Sequence, residues 1–409
     1  MGSVLALLLG THPVAAQDPR SIEVHGFLLG GVTGRVSDTG SNRPGGDFML
    51  GEGRLRLDLT TWSESVEASA RIKTDVVHDA VDGQVDLDVR EAYVDYTAGA
   101  FDFRLGRQIA TWGVGDLVFI NDIFPKDWVS FFTGRPLEYL KIGVDGVRAR
   151  FSSGALNLEL VAIPFFTPDN IPTAGRFYLS DPFAGVAVRN RQDPGRTYGD
   201  TEAALRLYRR VGNFDVSAYV YRGFWRTPGF KPDPAMAPER VTTLFPSLSV
   251  YGASAQGGVL GGVLSLEYGY YDSRGDSRDV IGIPSSQTRL LAGYQRELAP
   301  DFNLGVQYYV EINPDAQTPE VDIDGPSRYR DTATVRLERR VRHQTWNVAL
   351  FAFLSPADRD YLLQPQTSYK VSDEFSVTLG ANVFGGRETT FLGRFDANDN
   401  LYVSLRFDF

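Results

Sequence analysis

The sequence predicts an all-β chain: a transmembrane, antiparallel up-and-down β-barrel of about 18 strands (range 16–18), with its third external loop folded inward. Three observations carry this. Period-two alternation runs through segment after segment, the connections between segments alternate between long and short, and Leu401 to Phe409 alternate strictly up to a final aromatic. In that last segment Leu401, Val403, Leu405, Phe407 and Phe409 share one face, and Tyr402, Ser404, Arg406 and Asp408 the other. Such a division suits lipid outside and water inside. An edge strand of a soluble sandwich would instead be blunted by Lys, Pro or a polar tail.

The elements follow in order. Residues 1–16 read as a secretory leader, possessing the apolar run Val4 to Leu9 and the small-residue site Pro13-Val14-Ala15-Ala16, but no basic start. Residues 17–409 then form one barrel domain. Its strands are expected near 21–34, 50–62, 65–77, 84–97, 100–108, 145–152, 154–163, 200–210 and 213–224, and then near 246–257, 259–272, 286–298, 301–312, 330–341, 344–355, 360–371, 374–385 and 399–409. Short links such as Ala98-Gly99 and Val211-Gly212-Asn213 alternate with long ones such as 35–49, 109–144, 164–199 and 386–398. Outer-membrane barrels segregate their loops in this way, with short turns on the periplasmic side. Both termini are then periplasmic, and the last strand closes on the first near Ile22. In the strand at 84–97, Val85, Leu87 and Val89 are out of phase with Ala92, Val94 and Tyr96, so a bulge is expected between them.

Composition excludes several classes. No stretch approaches the roughly 20 apolar residues of a spanning helix, yet 43% of residues are hydrophobic, so membrane embedding has to be coded in alternation. Zero cysteines rule out disulfides, thiolate metal sites and a Cys nucleophile. A net charge of −10 argues against nucleic acid as a partner. Catalysis finds little support: His25, His78 and His343 are the imidazoles beyond the leader, and none neighbours a candidate nucleophile in sequence. Asp396-Ala397-Asn398-Asp399-Asn400 begins like a calcium loop but lacks its Gly and its bidentate Glu, and it reads as a turn. No enzyme, cofactor or metal is implied.

The faces opposite the lipid are polar. Arg54, Arg56, Arg71, Lys73, Arg104, Arg148, Arg150, Arg206, Arg336, Arg340 and Arg406 fall there as pore-lining candidates, with carboxylates among them. They either brace the wall or guide a solute. Only five of the 41 basic residues are Lys, and guanidinium is the better group for pairing carboxylates or holding anions in a confined space.

The connection at 109–144 concentrates the unusual residues. Seven aromatics lie between positions 112 and 139, too many for a loop that meets only water, and the lumen is where they can be buried. The final strand resembles that of bacterial outer-membrane barrels, which implies that Phe409 is an assembly signal read by the barrel-assembly machinery. The long third loop resembles that of the porins, which implies a constriction set by Trp112, Asp116, Asp122, Lys126, Asp127, Trp128 and Arg135. Over about 40 residues, Arg107-Gln108 followed by Trp112-Gly113 and by Pro125-Lys126-Asp127 is similar to alginate-export porins and related uncharacterised outer-membrane barrels. Arg107 and Gln108 then serve as loop anchors. The alternative for Arg107, Trp112 and Asp122 is that they merely pin the loop to the wall.

The expected function is an outer-membrane channel admitting small organic, anionic or amphipathic solutes. Its partners are outer-membrane lipids, the assembly machinery and the solute. The other reading is a plugged barrel that serves a periplasmic transport partner as scaffold or port. The loop at 164–199, with Phe165, Phe166, Phe177 and Tyr178, is expected to fold inward or form a lid.

Overall fold

The computed structural model describes residues 22–37, 46–63, 67–273, 279–284, 286–314 and 328–409; the expected leader lies outside them. The strands of the first half are β1 (Glu23–Arg35), β2 (Phe48–Ser63), β3 (Ala68–Asp79), β4 (Gln84–Ala98), β5 (Phe101–Gln108), β6 (Val144–Ser152), β7 (Asn157–Ile163), β8 (Val188–Gln192), β9 (Glu202–Val211) and β10 (Phe214–Phe224). Those of the second half are β11 (Gly229–Asp233), β12 (Arg240–Leu244), β13 (Ser247–Val259), β14 (Gly262–Asp272), β15 (Ser286–Ala299), β16 (Phe302–Ile312), β17 (Tyr329–Val341), β18 (Trp346–Ser355), β19 (Asp360–Lys370), β20 (Phe375–Gly385) and β21 (Asn400–Asp408).

Eighteen of these form one sheet in which chain-order neighbours pair antiparallel, and β21 returns to β1 to close it. Closure removes the free edges that a sheet of this size would expose. Side chains alternate accordingly. Val24, Leu28 and Val32 of β1 and Leu401, Val403, Leu405 and Phe407 of β21 are exposed on the outer face, whereas Phe27, Leu29, Thr33 and Tyr402 are buried inside.

The seam sits slightly further along β1 than the alternation suggests. Phe409 N donates to Gly26 O at 3.0 Å, and Gly26 N donates to Phe409 O at 2.9 Å. The Phe409 ring lies over Gly26, where a Cβ would come within 2.6 Å of it. Only glycine leaves room for the ring there.

The bulge in β4 is present. Lys73 pairs with Glu91 but Thr74 with Val89, so Arg90 is the extra residue. The two halves of β4 thereby keep their apolar residues on one face despite the opposite phase in sequence. Val89 O, beside the bulge, accepts a bond from Arg107 Nε at 2.6 Å.

Two expectations need correction. The connections do not alternate long and short throughout, because 80–83 and 356–359, on the long-loop end, are tight turns. The long connections also carry a small separate sheet, in which β12 pairs antiparallel with β11 and parallel with β8. All five residues of β8 are exposed, so no burial pattern marks it in the sequence. The connection between β5 and β6, the third at the long-loop end and called the third connection below, contains α1 (Trp128–Phe132) and a 3-10 turn at Leu137–Leu140.

Candidate functional site

The third connection crosses the lumen. It leaves β5 at Gln108, which is fully buried and donates to Gly146 O of β6 at 3.3 Å. On the β13–β17 side the Glu267 carboxylate of β14 accepts bonds from Val114 N (3.0 Å), Gly115 N (3.1 Å), Asn121 N (2.7 Å) and Asn121 Nδ2 (2.9 Å). Several N–H donors aimed at one carboxylate form an anion cradle of the kind that backbone turns provide, here filled by the wall itself. At the tip, Asp116 N and O bond the Gln307 side chain, each at 2.8 Å, and its carboxylate takes two 2.8 Å bonds from Arg336 NH1.

The loop comes close to the wall at a glycine notch. Gly252 of β13 and Gly269 of β14 are cross-strand partners. A Cβ on Gly252 would collide with the Asn121 side chain, and one on Gly269 would lie 2.5 Å from Ile120.

The aromatics are used up in packing. Trp112, Ile120, Ile123 and Phe124 join Val161, Ile163, Tyr219, Tyr221, Val250 and Tyr271 of the wall in one buried cluster. Phe131, Phe132 and Leu140 join Met49, Leu362, Phe384, Phe395 and Phe177 in a second, and Phe119 and Trp128 pack against it. The connection at 164–201 thus lids the loop, as expected: Phe177 is inside the second cluster, and Asp169 accepts from Lys126 N (2.7 Å) and Trp128 Nε1 (3.2 Å). Burial pushes the Asp169 carboxyl up, against the pull of those donors. The turn at 396–400 holds the lid, since Asn398 bonds both Tyr178 N (2.6 Å) and Tyr178 O (2.8 Å).

Polar residues of the loop divide into knots and free faces. Asp122 binds Lys126 at 3.0 Å, Lys141 at 3.2 Å and Thr111 Oγ1 at 2.9 Å. Burial pushes the Lys126 ammonium below its usual range, while the adjacent Asp122 works the other way. Asp127 caps α1 through Ser130 N at 2.8 Å. Arg135 reaches back to the wall at Glu52 (2.6 Å) and Asp79 (3.3 Å). The Tyr139 ring stands among three guanidinium groups, those of Arg54 (4.1 Å), Arg90 (4.9 Å) and Arg56 (5.1 Å). Arg54 and Arg56 both bind Asp75 at 2.6 Å, and Arg90 donates to Glu138 O (2.7 Å) and Lys141 O (2.9 Å).

These positions correct part of the expected site. Trp112, Asp122 and Lys126 are buried within the loop and its contacts and offer no face to a solute. Arg54 and Arg56 point inward as their alternation requires, but they are buried in the Tyr139 cage and do not border an open passage. Arg107 bonds Asp145 and the bulged β4 backbone, not the loop. Arg90, Glu267 and Arg226, which donates to Ile123 O at 3.1 Å, hold the loop and were not singled out as anchors. The phase change in β4 was the available signal for Arg90; nothing local marks the other two.

The remaining wall arginines differ in how fully they are paired. Arg71 bonds Asp58 at 2.8 Å, Lys73 is 3.1 Å from Glu91, Arg104 grips Asp95 with two bonds, Arg340 is 3.1 Å from Glu338, and Arg406 bonds Asp408 at 2.7 Å and Glu138 at 3.2 Å. On β6 the balance fails. Arg148 faces Arg104 directly across the strands, and its only carboxylate among the described residues, Glu159, is 3.9 Å away and shared with Arg150 at 3.5 Å. On β9, Arg206 lies across from Glu159 and has the Ser217 hydroxyl (3.2 Å) as its hydrogen-bond partner. Like charges placed opposite one another are unfavourable, and guanidinium donors left unpaired cost more.

No protein-family model and no curated protein matches the sequence. The fold is similar to two crystal structures from Pseudomonas aeruginosa. OccK9 (OpdG) has a TM-score of 0.57 and 11% identity, over 95% of this chain and 97% of that one. OccK11 (OpdR) has a TM-score of 0.54 and 9% identity, over 95% of each chain. At that identity the likeness speaks for the fold alone, and by its fold this chain is a closed 18-stranded β-barrel of the bacterial outer-membrane type.

Proposed function

We propose that this chain is a channel of the bacterial outer membrane that passes small organic anions, amphipathic ones included, down their own gradient. The observation that carries the reading is the group of four guanidinium side chains on the inner wall of β5–β9, in which Arg104 is paired with Asp95 but Arg148 and Arg150 share Glu159 at 3.9 and 3.5 Å and Arg206 bonds a neutral hydroxyl. Rings or walls of one charge set the selectivity of such pores, and guanidinium binds carboxylate and phosphate in a fixed fork. The short-turn end is assigned to the periplasm, and the segment 109–144 is the constriction. Its solvent-facing polar groups are Asp116, Glu138 and Lys141, while Asp127, Trp128 and Arg135 position it. Phe409 serves assembly.

The test is conductance of the purified barrel in planar bilayers under a salt gradient. Anion preference is expected, falling severalfold when Arg148, Arg150 and Arg206 are changed together to Gln. A cation-selective pore would overturn the charge assignment. The second reading, a plugged barrel serving a periplasmic partner, is favoured by the dry packing of the loop in two apolar clusters. It predicts no steady current from the wild type.

A further inference from the structure

Beside the tip of the third connection, the lumen holds a cavity of about 300 Å³ lined by Gln295, Asn303, Gly305, Arg336, Glu338 and Arg340. Its hollow has a simple origin: Gly305 sits between Gln295 and Arg336 in one cross-strand row, and nothing but the Arg336 stem lies within 4 Å of where its Cβ would be. Two guanidinium groups stand at this cavity, and each is engaged with one carboxylate, Arg336 with Asp116 and Arg340 with Glu338. Arg336 spends NH1 alone on Asp116, and Arg340 spends NH2 on Glu338, which leaves donors of both for a ligand. The Asp116–Arg336 pair is also partly exposed, at 42% and 33% of the two side chains, so water and solutes reach it.

We infer that this cavity is a binding station for a small oxyanion, a carboxylate or a phosphate, that competes with Asp116 for Arg336 and so loosens the loop tip. The proposal rests on the channel reading, but its site is distinct from the β5–β9 arginine cluster. An anion in the cavity reaches Arg336 and Arg340 together, and a dicarboxylate of suitable span bridges them. Losing Arg336 leaves the tip held by the Gln307 amide and by Glu267, contacts that neutral and buried groups maintain. Solute arrival would then promote its own passage.

Two measurements on the full-length barrel test this. Titration calorimetry in detergent with inorganic phosphate and with succinate should show binding that weakens at least tenfold in Arg340→Gln, with succinate the tighter of the two if bridging operates. Single-channel recording with the same anions should show open probability rising severalfold in the wild type. Asp116→Asn, which frees the latch, should raise the basal opening and abolish the response. Binding unaffected by Arg340→Gln would overturn the station. Binding that depends on Arg340 in a barrel without current would uphold the station and overturn the channel. Current that is insensitive to either anion would overturn the latch.

Discussion

Tyr139 shows how a single residue can tie a loop to its wall. Three guanidinium groups meet its ring, and Arg56 NH2 donates to its hydroxyl at 2.9 Å. The negative ring face offsets the mutual repulsion of the arginines while Asp75 and Glu52 supply the opposite charge. Tyr139→Phe keeps the ring and loses one hydrogen bond, so it should cost about 1 kcal/mol. Tyr139→Ala removes the ring from between like charges and leaves a cavity, a loss on the order of 3–5 kcal/mol. Urea unfolding in detergent should rank the two that way; equal effects would mean that the cage is not what holds the loop. The inward direction of Arg54 and Arg56 was legible from alternation. Their burial was not, because Tyr139 and Glu138 arrive from a distant segment and no local pattern encodes that meeting.

At the scale of the element, the bulge in β4 is the instructive case. Its phase change was readable because the outer face demands apolar residues at every second position. Its purpose was not readable, since Arg90 turns inward to donate to the carbonyls of Glu138 and Lys141. Deleting Arg90 should throw one half of β4 into the wrong phase and reduce the yield of folded barrel sharply. Arg90→Ala keeps the bulge and should fold, yet make 109–143 more susceptible to protease. If the deletion folds as well as the wild type, the bulge is dispensable. The same logic explains what was missed. The strands of the barrel were legible because lipid imposes a period, whereas β8, β11 and β12 face no such demand. Of the seven loop aromatics, five are buried as expected and Phe119 and Trp128 are partly buried against them, but packing occupies faces where a solute contact was expected.

For the whole molecule, the decisive event is closure of the sheet. The backbone bonds between Gly26 and Phe409 lie at the seam, and the Phe409 ring fills the space that Gly26 leaves. Gly26→Leu should displace that ring and lower the fraction of barrel that resists unfolding in SDS before heating, while Gly30→Leu, four positions along on the same outer face with open space around it, should be tolerated. Equal loss in both would remove the seam from consideration. Inside the closed wall, the loop and its lid contribute much of the buried apolar surface. Wall and loop are therefore joined through shared buried apolar clusters.

The glycine notch at Gly252 and Gly269 has a consequence for the cell that carries this barrel. A single added side chain there acts as a wedge, prising Ile120 and Asn121 from the wall and Asn121 from the Glu267 carboxylate. Gly252→Val should leave the barrel folded but ajar, and cells expressing it should become more sensitive to bulky hydrophilic antibiotics than cells expressing the wild type. Unchanged inhibitory concentrations, with the variant present in the outer membrane, would refute this. Permeability here would be guarded at one point by the absence of a methyl group, and a one-base change could breach it.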